Sequence, residues 1–372
     1  MPAPPPVRLT SLDVFRGLTM AAMVIVNTPG DWGAVYAPLL HAEWHGWTPT
    51  DLIFPFFVFI VGVSIVISKR RATIGTIARR AAVLYGLGLL LALYPRFDFS
   101  TVRVMGVLPR LAICYFAAAL VYRALAGRPE AARASAASAA CAALLAAYWA
   151  LMQFVAAPGG LAGDLSPSGN LGAWIDRAVI GEAHLWRQSK TWDPEGLLST
   201  VPAIATALSG IAAGVVLFGG RSPAQKLRIL IVAGAAATVA GLAWSFEFPI
   251  NKNLWTSSYV LFTSGLASML LAACYWVIDV RGSRRWTRPF VVMGTNALAL
   301  FVVSGWLVKT LLLIRVPSGD GATATLYRAI YANVFVPMAP PKLASLLFAI
   351  TALLVLYGLL EVMYRRRWLL RA

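Results

Sequence analysis

Apolar residues along the chain come in long blocks, broken by short stretches rich in arginine, proline and glycine. A helix needs about 20 residues to cross ~30 Å of hydrocarbon. Ten blocks are long enough to predict spans, at 11–29, 51–68, 78–95, 104–122, 135–157, 197–219, 227–247, 255–280, 290–314 and 341–364. The predicted fold is an all-α polytopic integral membrane protein of about ten transmembrane helices, one domain over residues 1–372. The Ala-rich fifth block reads as lipid-facing. No repeat with a period of about 20–50 residues stands out, and no inverted repeat.

Composition agrees with that pattern. The chain has 372 residues, 59% of them hydrophobic and 13% charged, where soluble domains carry about 25% charged residues. So few charges cannot coat a soluble surface, and the same figures exclude a disordered chain, a coiled coil and a disulfide scaffold. Cys114, Cys141 and Cys274 lie inside apolar blocks without CxxC spacing, so neither a disulfide framework nor a zinc site is predicted. The net charge of +17 does not indicate nucleic acid, because the basic residues punctuate apolar blocks instead of forming one patch. They are also lopsided. Connections on one side hold 20 of the 32 Lys and Arg residues and those on the other hold 8. By the positive-inside rule both termini are expected in the cytoplasm, which an even span count fits. No cleavable signal peptide is visible at the start.

Polar groups at membrane depth cost about 2.5–3.5 kcal/mol each on insertion scales, so each asks for a reason. Asp13 and Arg16 stand at i and i+3 in SLDVFRGL, on one helical face, either as an interfacial ion pair or as part of a polar cleft. Asn27 ends the first block in VNTPG, where asparagine usually caps or turns a helix. HAEWHGWTPTDL is the densest chemical cluster, with His41, Glu43, His45 and Asp51 around Trp44 and Trp47. Thr50 is placed to cap the second span. Histidine is the side chain best suited to accept a proton near neutral pH. The i, i+2, i+4 spacing of His41, Glu43 and His45 does not converge on one helix face, so no metal site is predicted.

Arg110 lies inside the fourth block and needs either a span carboxylate such as Glu247 or Glu361 or an anionic ligand. Asp193, Glu195 and Ser199 enter the sixth span in WDPEGLLST, where acidic residues suit a helix N-terminus. Asn251, Lys252 and Asn253 crowd the short connection FPINKNLW. Gly294 and Asn296 in the ninth block predict close helix packing with an interhelical hydrogen bond. There is no GxGxxG after a strand, no Walker loop and no GxSxG elbow, so any cofactor must bind between helices.

Taken in order, RLTSLDVFRGL, VNTPG, HAEWHGWTPTDLIFPFFVFIVGVSI, GVLPRLAICYF, WDPEGLLST, FPINKNLWTSSYV and GTNAL resemble the heparan-α-glucosaminide N-acetyltransferase family of transmembrane acyltransferases and its bacterial NagX-type relatives. The large luminal domain of the animal lysosomal enzyme has no counterpart in this sequence. The resemblance implies transfer of acetyl from cytoplasmic acetyl-CoA, with no metal, to the amino group of a glucosamine-type sugar across the membrane. It implies a multi-pass protein of the bacterial inner membrane, with the lipid bilayer and an amino-sugar acceptor as partners and a homodimer as a candidate assembly.

The family's catalytic histidine falls on His41 and its important asparagine on Asn27. His45 stands where the animal enzyme has Asn and is a secondary candidate. With Glu43, Asp51, Asp193, Glu195, Asn251 and Lys252 it makes up the predicted acceptor-side contacts. Arg16, Arg110 and the first cytoplasmic connection (Lys69, Arg70, Arg71) are the predicted partners of acetyl-CoA, Arg110 lying nearer the acetyl end. His41 can act as general base, with Asn27 donating to the developing oxyanion or orienting the ring, or it can carry the acetyl group itself. The competing class is a secondary transporter of sugars or cell-wall fragments with span charges as proton-coupling groups.

Overall fold

The computed structural model describes residues 9–68, 73–317 and 323–370. Among the described residues thirteen α-helices follow one another: α1 Thr10–Asn27, α2 Ile53–Ile67, α3 Ile74–Leu93, α4 Val107–Ala124, α5 Glu130–Phe154, α6 Leu171–Val179, α7 Leu197–Phe218, α8 Pro223–Trp244, α9 Ser257–Cys274, α10 Arg288–Thr295, α11 Ala297–Leu313, α12 Leu326–Ile330 and α13 Pro341–Arg365. One two-stranded antiparallel ribbon, β1 (Arg315–Pro317) and β2 (Thr323–Thr325), pairs Val316 with Ala324.

Among the described residues eight helices are long and apolar enough to cross a membrane, and nine if α10 and α11 count as one span bent by 81°. The first predicted span, α1, is a helix of 18 residues that is not among these; Asp13 and Arg16 in its first two turns dilute its apolar character. The protein is a multi-pass helical membrane protein.

The eight differ in what covers them. The most apolar stretch of α7 is 72% buried inside the protein and that of α9, with the π-helical turn that extends it, 61%, whereas α3 is 11% and α8 17% buried. The inner helices α2, α4, α7 and α9 make one continuous apolar core through Val58, Leu111, Leu208 and Tyr259. Helices α3, α5 and α8 turn apolar faces outward, as expected of the Ala-rich α5. Close approach is set by missing side chains. A Cβ on Gly62 of α2 would lie 2.0 Å from the Ala207 carbonyl oxygen of α7, and one on Gly210 would lie 2.1 Å from that of Phe59. Only small residues allow helix backbones so near, the usual device where lipid supplies no hydrophobic drive.

Gly294 of α10 packs in the same way on α1, where an added Cβ would sit 1.9 Å from the Asp13 carbonyl oxygen. The hydrogen bond expected beside it is not made. Asn296 is fully buried at the bend between α10 and α11, and neither end of its amide has a partner. The asparagine marks the break in the span instead of bridging two helices.

Candidate active site

The site is built from two connections docked on one another at the end of the bundle where α2 begins. HAEWHGWTPTD leads into α2 and FPINKNLWTSS leads into α9. Gly46, with φ +98°, takes a left-handed conformation and donates its N–H to the Ile250 carbonyl at 2.8 Å. Asn251 is fully buried; its side-chain oxygen accepts from Leu254 N at 2.9 Å, closing the turn that presents Lys252. Trp44 ties the cluster to the 158–196 connection by donating its indole N–H to the Leu165 carbonyl at 2.9 Å.

Asp51 is the centre of this arrangement, with its side chain only 1% exposed. Oδ2 accepts from Thr48 N at 2.9 Å and Ala42 N at 3.0 Å, and Oδ1 lies 2.6 Å from His41 Nδ1. Thr48 and Asp51 form a capping box for the short 3-10 turn that opens α2. The cap is therefore Thr48, not Thr50, whose hydroxyl donates to the Pro38 carbonyl at 3.1 Å. Tyr259 of α9, fully buried, donates to the Asp51 main-chain carbonyl at 2.5 Å. A carboxylate held from so many directions fixes the imidazole beside it. With Nδ1–H donated to Asp51, the His41 lone pair lies on Nε2, on a side chain 46% exposed.

Lys252 Nζ lies 3.3 Å from both His41 Nδ1 and Nε2. Equal distances to both nitrogens place the ammonium over the ring face, since an equidistant point in the ring plane collides with ring carbons. Burial pushes the Lys252 ammonium below the ordinary lysine range, against the pull of Glu195 and Asp51.

Glu195 belongs to a second knot. Arg103 forks onto Asp193 at 2.8 Å and 2.5 Å and also pairs with Glu195. Burial works to raise the Glu195 carboxyl, but Arg103, Arg110 and Lys252 outweigh it and hold it below the usual range. Arg110, fully buried, donates to the Gly196 carbonyl at 3.2 Å and to the Ser199 hydroxyl, and its guanidinium sits 5.0 Å from the centre of the Trp255 ring. Neither Glu247 nor Glu361 is its partner. Glu361 pairs with Arg288 and Arg365, and the carboxylates whose charge acts on Arg110 are Glu195, Asp193 and Asp176. Asp193 and Glu195 thus serve the part-buried Arg103 and the buried Arg110 beyond any effect at a helix N-terminus.

The predicted acceptor-side residues divide. Asp51 and Lys252 stand at His41, while Asp193 and Glu195 stand at Arg103, and the charge of Glu195 acting on Lys252 relates the two groups. Asn251 reaches His45, Nδ2 to Nδ1 at 3.3 Å, and burial lowers the His45 imidazole. Glu43 is exposed and makes no hydrogen bond among the described residues. Asn27 is exposed at the end of α1, likewise without a side-chain hydrogen bond. Arg103, Tyr259, Trp255 and Asp176 are members that sequence reasoning missed. Arg103 read as one more basic residue of a connection; the two acidic residues of WDPE were the available hint that it needed partners.

At the opposite end lies a cavity of about 1080 Å³, lined by Arg16, Arg80, Arg123 and Arg133, by Tyr115 and Tyr122, and by apolar residues of α2, α4 and α11. Arg16 donates to Ser64 Oγ at 2.9 Å and to the Gly294 carbonyl at 3.2 Å, and pairs with Asp13 at 3.3 Å, so the ion pair is formed and its arginine also lines the cavity. The cavity lining runs along α4 from Arg123 to Leu108, about 22 Å at 1.5 Å per residue. A second cavity of about 600 Å³, lined by Arg103, Arg187 and Lys309, shares Leu108 and Phe301 with the first. Lys69 and Arg70 lie outside the described residues.

A polytopic membrane protein with a fixed His–Asp pair at one mouth and an arginine-lined cavity at the other has the parts of a membrane-embedded group-transfer protein. Residues 8–163 match the family described as heparan-alpha-glucosaminide N-acetyltransferase, catalytic. The human heparan-alpha-glucosaminide N-acetyltransferase is 31% identical over 357 residues, covering 80% of this chain and 52% of its own length, and the mouse protein is 32% identical over 354 residues, covering 79% and 53%. The chain belongs to this family, and it spans about half the length of the curated relatives it matches.

Proposed function

We propose that the protein is an acetyltransferase that takes acetyl from cytoplasmic acetyl-CoA and delivers it to the amino group of a glucosamine-type sugar on the other side of the membrane. The observation that carries this reading is the His41–Asp51 pair with an amine, Lys252, over the ring. An amine attacking a thioester must lose a proton, and Nε2 of a histidine oriented through Nδ1 is the group to accept it. The carbon–sulfur bond breaks, the carbon–nitrogen bond forms, and CoA leaves as its thiol. If His41 first takes the acetyl group, the same carboxylate stabilises the imidazolium that forms. The exposed amide of Asn27 is the family's candidate donor to the oxyanion.

The arginine-lined cavity is the donor's entrance in this reading. Guanidinium groups suit phosphate, and α11 begins at the cavity wall, so its positive N-terminal end adds to them. An extended pantetheine arm fits a lining about 22 Å long. The two cavities share Leu108 and Phe301 in their walls, close to the level of Arg110, and Arg103, the partner of Asp193 and Glu195, lines the second. The 20-to-8 distribution of basic residues supports a cytoplasmic position for the cavity end.

The test is CoA release by the purified protein with a panel of amino sugars. Glucosamine-dependent release that disappears in His41→Ala is expected. Release that is independent of His41, or uptake of sugar without release, overturns the reading. Acetyl-CoA should raise the melting temperature even in His41→Ala, because it binds at the other end.

A further inference from the structure

We infer that Lys252 occupies the position of the acceptor amine and is itself acetylated by the enzyme when no sugar is present. This rests on the acetyltransferase reading above and adds a modification site to it. The argument is one of trajectory. An acetyl group on His41 Nε2 conjugates with the imidazole, so its carbonyl lies in the ring plane. A nucleophile must then approach from above that plane. Lys252 Nζ is above it, 3.3 Å from Nε2, the atom to which the acetyl carbon would be bonded.

The surroundings bear on the attacking form in both directions. Only a neutral amine has the lone pair, and burial already weakens the Lys252 ammonium. Asp51 and Glu195 are the carboxylates whose charge acts on it, and Arg103 and Arg110 are the cations. The reaction balances without a further reagent. The bond from acetyl carbon to sulfur, or to Nε2, breaks; the bond from acetyl carbon to Nζ forms; the amine proton passes to His41; and CoA thiol is released. The product is an amide that His41 cannot easily reverse, and it removes a positive charge from the site. A sugar amine that takes the same place over the ring therefore protects Lys252.

The experiment uses the full chain in detergent with isotopically labelled acetyl-CoA and no acceptor, followed by peptide mass spectrometry. Label at Lys252 is expected to exceed that at Lys342 by roughly 10²-fold, the ordinary contribution of a positioned base. The excess should vanish in His41→Gln and fall on addition of glucosamine. In Lys252→Arg no label should remain on that peptide. Glucosamine turnover is followed in the same samples. Turnover by the wild type with no excess label at Lys252 overturns this inference and leaves the acetyltransferase reading standing. Label at Lys252 that survives His41→Gln unchanged also overturns it, since solution chemistry then explains the modification. Absence of both turnover and label fells the two together.

Discussion

The two ends of the bundle handle charge in opposite ways. At the His41 end, cations and carboxylates interlock: Asp51 with His41, and Arg103 with Asp193 and Glu195. At the other end Arg16, Arg80, Arg123 and Arg133 converge on a large cavity whose lining contains no carboxylate among the described residues. A network closed on itself holds geometry, as a group that moves protons requires. A cavity of one sign recruits an anion from solution. The difference separates positioning from capture, and each part can be broken without the other.

The largest effect is expected from His41→Ala. Loss of a positioned base costs about 10²–10⁴-fold in rate, or roughly 3–5 kcal/mol of barrier. The side chain is half exposed, so the melting temperature and acetyl-CoA affinity should stay near wild type. His45→Ala should cost far less, because His45 touches Asn251 and not the buried carboxylate. Rates measured for both variants decide the assignment: a dead His45→Ala beside an active His41→Ala moves the centre by four residues.

Arg110→Ala should damage the fold instead. Removing one member of a buried charge cluster costs about 3–5 kcal/mol, since its partners are left uncompensated. The expected readout is a lower melting temperature with weakened turnover. Unchanged melting shows that Arg110 does not hold the cluster together.

What could be read in advance follows from how local each feature is. The length of an apolar block is set by the membrane, so the long spans stood out, and α1 was the marginal one because Asp13 and Arg16 dilute it. His41 and Asp51 lie ten residues apart in one connection, and their chemistry was visible even though their contact was not. Arg103 and Glu195 meet across 92 residues, and nothing in either neighbourhood marks the pairing. The bend at Asn296 was also hidden, since a Gly–Asn pair suits a straight packed helix as well as a broken one. Thr50 reads as the cap from its place beside Asp51, and the box that Asp51 closes with Thr48 overturns that reading.

Asp176 separates structure from chemistry within the interlocked end. Its carboxyl accepts from Leu197 N at 2.8 Å, and burial, with Asp193 adding, raises it to about 6. A carboxyl raised in the folded state binds its proton more tightly there than in the unfolded chain. Its contribution is greatest below the unfolded value of 3.8, and it is lost as pH rises through about 6. Asp176→Asn keeps the acceptor oxygen and removes the charge, so stability should rise by up to ~3 kcal/mol at pH 8 and change little at pH 3.5. Melting curves at the two values measure it. Equal shifts at both show that the carboxylate is not the source.

The smallest expected effect tests the capture end alone. Arg80 lines the cavity from α3, far from His41 along the bundle. Arg80→Gln removes one cation from a site with several, so acetyl-CoA affinity should fall about tenfold, worth roughly 1.4 kcal/mol. In turnover this appears as a raised KM for acetyl-CoA with kcat for glucosamine acetylation preserved, the signature of lost uniform binding. The KM effect should shrink at high salt, because Arg80 is only partly buried and a solvent-reached cation is screened within about 10 Å at 0.1 M ionic strength. A fall in kcat with unchanged KM reverses the division of labour, since it places Arg80 in the step at His41 and makes the cavity part of the chemistry.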